Sequence, residues 1–196
     1  MNGYIHTIMG PMFSGKTSLL VHELERFSRS RKRVMLFTAD SRADDPVVHS
    51  RRPLYKDIEI IRSKDPAEIY DISGRYDVIG VDEVQFFPLT IIPVLSRLAE
   101  EGKVVLASGL DQDFRGDPFP TTLALVTESE KITRLTSVCQ RCGSQLAIRN
   151  FRKVASQEVI LEGAADTYEA RCRSCMKQEQ ISSGPPLPFK NPDTEA

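Results

Sequence analysis

The chain has 196 residues, with 26 Lys and Arg set against 27 Asp and Glu for a net charge of −1. That length holds one α/β domain and a small appendage, and the balanced charge lacks the basic excess of a general nucleic-acid binder. No apolar stretch approaches the ~18 residues of a membrane span. The opening MNGYIHTIMG enters the first strand with no room for a signal peptide, so the expected location is cytoplasmic, away from membranes.

Residues 4–9 read as a strand, and 16–29 as a helix with Leu19, Leu20, Leu24 and Phe27 on its buried face. Between them lies Gly10-Pro11-Met12-Phe13-Ser14-Gly15-Lys16-Thr17. This is a G-x-x-x-x-G-K-T phosphate loop in the strand–loop–helix setting that such a loop requires. Its glycines let successive N–H groups turn inward, and the helix start adds its positive end. The expected ligand is a nucleoside triphosphate, ATP in the first place. Lys16 offers a point charge to the β- and γ-phosphates, and the Thr17 hydroxyl offers a ligand to Mg²⁺. The basic run Arg29-Ser30-Arg31-Lys32-Arg33 falls at the helix end, where it complements the dipole.

The continuous apolar run at 34–39 has the pattern of a strand buried on both faces. The polar stretch Asp40-Ser41-Arg42-Ala43-Asp44-Asp45-Pro46 follows it. Residues 58–63 read as a strand, after a loop holding His49, Arg51 and Arg52, and 66–72 as a short helix. Residues 76–83 form a strand ending in Asp82-Glu83. Asp82 is suited to hold Mg²⁺, directly or through water, and Glu83 to act as a general base beside the γ-phosphate. A helix is expected over 89–101, with Pro93 kinking it or delaying its start, and a buried strand over 103–110. The loop 111–119 carries Phe114 and Phe119, candidates for lining a base pocket. Strands alternating with helices argue for a parallel sheet with phosphates at its carboxyl edge.

Cys139-Gln140-Arg141-Cys142 and Cys172-Arg173-Ser174-Cys175 are two CxxC pairs. In this setting they favour metal over disulfides. Four thiolates make a closed tetrahedral zinc site, structural because no position is left open for substrate. The interval between the pairs exceeds that of a zinc ribbon, so a long loop leaves the metal and returns to it. From Ser182 the chain is proline-rich and polar, with too few core-forming residues to fold. The organisation expected is a P-loop ATP-binding domain over 1–136, a zinc and lasso domain over 137–181 that binds the nucleoside, and a flexible tail over 182–196.

Taken together, GPMFSGKT, Asp40-Ser41-Arg42, DEVQFF, GLDQDFRGDPF, the two CxxC pairs and GAADTYEARC resemble the zinc-containing, cellular-type (type II) thymidine kinase family. The resemblance runs from about residue 5 to about residue 175, and the joint order of the motifs is what makes it specific. It implies an α/β fold, a P-loop NTPase-like parallel sheet flanked by helices with a small zinc-binding lasso domain. It also implies transfer of the ATP γ-phosphate to the 5′-hydroxyl of thymidine or deoxyuridine, a homotetramer, and feedback inhibition by dTTP. By position, the resemblance assigns the base to Glu83 and the lid pair to Asp40, with ATP, and Arg42, on the γ-phosphoryl. Thymine-side packing falls to Phe86, and apolar pocket positions to Leu110, Phe114 and Phe119. The backbone that reads the base edge falls to Val159, Ile160, Leu161, Glu162 and Gly163, and the deoxyribose contact to Tyr168. The chain departs from the family at Ala43, where Tyr is usual, at Val84, where Ala or Gly is usual, and at Ala164 within the lasso. The Asp-Glu box is also similar to that of ATP-driven motors, which generally need two ATPase cores where this length allows one.

Overall fold

The computed structural model describes residues 2–39, 58–154 and 167–182. Six parallel strands form one sheet: β1 (Tyr4–Met9), β2 (Val34–Thr38), β3 (Glu59–Arg62), β4 (Val78–Asp82), β5 (Val104–Gly109) and β6 (Lys131–Arg134). Their order is β3-β2-β4-β5-β1-β6. Every residue of β2, β4 and β5 is buried, as expected for central strands covered on both faces. Helix α1 (Lys16–Arg29) lays Leu20, Val21 and Leu24 over Ile8, Leu36, Val78 and Leu106. On the other face, α2 (Pro66–Ser73), α3 (Ile91–Glu100) and α4 (Pro120–Thr127) lay Ile69, Leu95, Leu98 and Leu125 over Ile5, Phe37, Ile79 and Val105. Each such side chain contributes about 1.5–3 kcal/mol by leaving water.

The parallel sheet matches the expectation, and its details refine it. Val21 occupies the centre of the α1 face, while Leu19 and Phe27 are only partly buried at its margin. Helix α3 begins at Ile91, so Pro93 stands in its first turn. There the N–H it lacks would have had no intrahelical acceptor. Arg33 closes the basic run by pairing with Asp77 at 3.0 Å.

After β6 the chain builds a smaller unit. Strands β7 (Arg149–Arg152) and β8 (Tyr168–Arg171) pair antiparallel, with Asn150 opposite Ala170, and α5 (Arg173–Ser182) follows. The Lys153 N–H donates to the Thr167 carbonyl at 2.9 Å. That bond extends the β7–β8 pairing beyond the named strands. The lid pair Asp40 and Arg42, the departure at Ala43, the lasso residues Val159, Ile160, Leu161, Glu162, Gly163 and Ala164, and the tail beyond Ser182 lie outside the described residues. Among the described residues no helix is long and apolar enough to cross a membrane.

Candidate active site

The phosphate loop joins β1 to α1 at the carboxyl edge of the sheet. Its conformation depends on Gly10 and Gly15, at φ 153 and 84. A Cβ on Gly10 would lie 2.5 Å from the Leu135 carbonyl oxygen, so the loop is pressed against the strand beside it. The Ser14 hydroxyl and the Lys16 ammonium both donate to the Pro11 carbonyl at 2.8 Å. The N–H groups of Ser14, Gly15 and Lys16 have no acceptor among the described residues. This is the donor set that a helix start offers to an anion. Burial lowers the pKa of Lys16, and the neighbouring Glu83, Asp82 and Asp111 carboxylates oppose that shift.

Strand β4 delivers Asp82 to the same point. Asp82 Oδ2 accepts from the Thr17 hydroxyl at 2.9 Å, and Oδ1 accepts from the Glu83 N–H at 3.0 Å and from the Ser108 hydroxyl. Burial raises the pKa of Asp82, opposed by the bonds from Ser108, Thr17 and the Glu83 N–H and by the Lys16 charge. Ligands on adjacent corners of an Mg²⁺ octahedron stand about 3.0 Å apart, so Thr17 Oγ1 and Asp82 Oδ2 fit that ion as they stand.

Glu83 leaves β4 in the left-handed region, at φ 56 and ψ 44, and opens the single 3-10 turn Val84–Phe86. A non-glycine residue there is strained and is held by its surroundings. The Gln85 amide is part of that hold: Nε2 donates to Glu83 Oε2 at 2.5 Å, and Oε1 accepts from the Leu110 N–H at 2.9 Å. Gln85 is almost fully buried. A Cβ on Gly109 would meet its Oε1 and the Val84 side chain, each at 2.7 Å.

The 111–119 loop follows β5. Phe114 lies under the Arg152 guanidinium, 3.7 Å from ring centroid to Cζ, and Arg152 Nη2 donates to the Tyr168 hydroxyl at 2.7 Å. Phe114 and Tyr168 are thus bridged by a buried arginine. Leu110 is half-buried with its N–H held by Gln85, and Phe119 is buried at the start of α4. Phe86 is half-buried against the α3 face of the core, with the Lys64 ammonium 5.9 Å from its ring.

Sequence reasoning missed Ser108, Gln85, Arg152 and Asp111. Asp111 is buried, pairs with Arg134 at 2.8 Å through Oδ2, and keeps Oδ1 without a hydrogen-bond partner among the described residues. The signal for Gln85 and Ser108 was a polar residue inside an apolar run, which a hydrophobicity pattern reads as noise.

The four cysteines converge. Their sulfurs lie within 4.8 Å of one another, and Cys142 and Cys172 are 3.7 Å apart. The edge of a zinc–thiolate tetrahedron is about 3.8 Å, so the donor set fits Zn²⁺. The first knuckle turns through Gly143 at φ 75 and is tied to β8, where the Gln140 N–H donates to the Ala170 carbonyl at 3.0 Å. Strand β8 then delivers Cys172, and α5 delivers Cys175. Burial works against the Cys139 thiolate, yet N–H groups of Cys172, Cys142 and Arg141 bring its pKa down to about 6, while burial and the surrounding cysteines push Cys175 up to about 12, so the crowded thiols titrate as one set.

A family model described as thymidine kinase matches residues 3–176. The chain is 38% identical over 182 residues to the thymidine kinase of Thermococcus kodakarensis, covering 87% of this chain and 92% of that protein. It is 38% identical over 175 residues to the thymidine kinase of Pyrobaculum aerophilum (85% and 94%), and 36% identical over 182 residues to that of Mycoplasmoides gallisepticum (88% and 80%). Among solved structures, the flagellar accessory protein FlaH from Methanocaldococcus jannaschii superposes with a TM-score of 0.54, covering 73% of this chain and 75% of that one. At 13% identity, that likeness speaks for the fold alone.

Proposed function

The chain belongs to the thymidine kinase family, and from that premise we propose how its own residues carry out the transfer. The reaction moves the γ-phosphate of ATP to the 5′-hydroxyl of thymidine, giving dTMP and ADP. Phosphoryl transfer asks for positioning and charge neutralisation more than for covalent chemistry. The observation that carries the assignment is the meeting of Lys16, Thr17 and Asp82 at one strand edge, with Glu83 one residue further on.

In this reading Gly10 to Thr17 hold the triphosphate through backbone N–H groups, and Lys16 exchanges the Pro11 carbonyl for phosphate oxygens. Thr17 and Asp82 hold Mg²⁺, which when bound supplies charge neutralisation across the phosphates. Glu83 accepts the proton of the 5′-hydroxyl, oriented by Gln85. Arg42 takes the γ-phosphoryl with two donors at once, and Asp40 stands beside it on the ATP side. Phe86, Leu110, Phe114 and Phe119 line the base side, with Val159 to Gly163 reading the base edge and Tyr168 covering the sugar. The stack of Phe114, Arg152 and Tyr168 supports that side of the assignment. Cys139, Cys142, Cys172 and Cys175 hold Zn²⁺, which when bound supplies a fixed node at the base of the lasso.

The same reading extends to regulation and assembly. An end product such as dTTP carries both a thymidine moiety and a triphosphate, so it suits both halves of the site and would act as an inhibitor. Membership of the family is what supports association into a homotetramer. A cytoplasmic location fits an enzyme that draws on ATP and nucleosides.

The test is a radiolabelled phosphate-transfer assay across a nucleoside panel. Label appearing on thymidine and deoxyuridine, and not on ribonucleosides, is the expected result. Release of inorganic phosphate with no labelled nucleotide would replace the kinase with an ATPase.

A further inference from the structure

The phosphate loop contains one residue whose conformation its own chemistry disfavours. Phe13 sits at φ 62, in the left-handed region that a side chain makes costly. The Phe13 side chain is about half exposed, at 46%, so its own packing is a weak hold. Two hydrogen bonds bracket it instead, and both come from the cysteine-bearing half of the chain. The side-chain carbonyl of Asn150 accepts the Met12 N–H at 2.8 Å. The Ser137 hydroxyl donates to the Phe13 carbonyl at 3.1 Å.

Neither donor nor acceptor is casual. Asn150 is 2% exposed, and its amide nitrogen donates to the Gln112 carbonyl at 2.9 Å. The two bonds demand a single amide orientation, oxygen toward Met12 and nitrogen toward Gln112. One side chain thereby joins the phosphate loop, the 111–119 loop and strand β7. Ser137 is equally built in: its backbone exchanges hydrogen bonds with Ala147 in both directions at 2.9 Å, two residues before Cys139. In β7, Asn150 stands opposite Ala170 of β8, two residues before Cys172.

We propose that Asn150 and Ser137 are positioning residues for ATP, a clamp by which the cysteine-bearing unit holds the phosphate loop in its strained, binding-ready shape. Removing the clamp lets Phe13 relax and turns the loop N–H groups away from their common focus, so ATP affinity falls although no ATP contact has been deleted. This rests on the reading that residues 10–17 hold ATP. The thymidine side is spared by Ser137, whose side-chain hydrogen bond among the described residues goes to the phosphate loop.

The experiment measures equilibrium binding of a non-hydrolysable ATP analogue with Mg²⁺, and the KM values for ATP and thymidine. The variants are Asn150→Ala, Ser137→Ala and Ser137→Thr, each purified at wild-type zinc content. Loss of both Asn150 hydrogen bonds predicts weakening of analogue binding and a rise in ATP KM of about tenfold for Asn150→Ala, and loss of the single Ser137 bond about threefold for Ser137→Ala. In Ser137→Ala the thymidine KM should stay within about twofold of wild type, and Ser137→Thr, which keeps a hydroxyl donor for the Phe13 carbonyl, should recover most of the analogue affinity. Should Asn150→Ala fail to fold, Ser137→Ala carries the test alone. Unchanged analogue binding in Ser137→Ala, equal rises in both KM values for it, or Ser137→Thr as weak as Ser137→Ala, would each overturn the clamp. Wild-type protein that does not bind the analogue would instead overturn the assignment of the loop to ATP.

Discussion

Replacing Gln85 by Met keeps nearly the same shape and removes both hydrogen-bonding ends. The Leu110 N–H then loses its acceptor at 2.9 Å and Glu83 loses a donor. An unmet buried N–H costs about 1–3 kcal/mol, and apolar burial of the Met side chain offsets part of it. Unfolding stability should therefore fall by about 1–2 kcal/mol in a urea titration. Turnover should fall further than that loss alone suggests. Glu83 is held at a left-handed φ, and in its proposed role its carboxylate has to reach a hydroxyl within hydrogen-bonding range. A misplacement near 1 Å in such a geometry costs about a hundredfold in rate. We expect kcat to drop by about ten- to a hundredfold while the ATP KM moves by less than about threefold. Stability reduced as stated, with kcat within about threefold of wild type, would refute the reasoning that Gln85 orients the base.

Metal analysis of protein purified without added zinc should give about one equivalent per chain, falling below about half in Cys175→Ser; a native-like activity with less than half an equivalent in the wild type would remove zinc from the account. Tyr168→Ala should raise the thymidine KM about tenfold or more and leave the ATP KM within about twofold, in steady-state assays varying each substrate in turn; equal changes in the two would place the sugar elsewhere. Asp77 has its pKa lowered to about 2 by the Arg33 side chain and N–H that hydrogen-bond it. Its folded pKa lies below the unfolded value of about 3.9, so the contribution is present above that pH and is lost as pH falls towards 2. The stability gap between wild type and Asp77→Asn should close over that window in urea titrations, and a gap that persists to pH 2 would contradict the assignment.

What the sequence discloses and what it hides divide along physical lines. The strands β1, β2, β4 and β5 are legible because burial on both faces forces unbroken apolar runs, and the phosphate loop because its glycines and lysine have few other uses in that order. The strand order is not legible: nothing in β6, whose side chains are exposed or half-exposed, says that it will pair with β1. Helix α4 was missed because Thr121, Thr122 and Leu125 are buried without the polar face that marks an amphipathic helix. The ionic part of the site, Lys16, Thr17, Asp82 and Glu83, could be named beforehand because each sits at a fixed offset from a motif. The amides that hold it, Gln85 and Asn150, could not. Their partners are backbone groups far away in the chain, at Leu110 and Met12, and such pairings exist only once the sheet has formed.

The central claim is that Glu83, beside Lys16, Thr17 and Asp82, takes the proton as the γ-phosphate of ATP passes to thymidine. A single-turnover measurement of labelled phosphate transfer in Glu83→Gln tests it most directly, with ATP and thymidine binding measured on the same protein. The account predicts that both ligands bind within about threefold of wild type while the transfer rate falls by about 10²–10⁴-fold. A transfer rate within about threefold of wild type would contradict it.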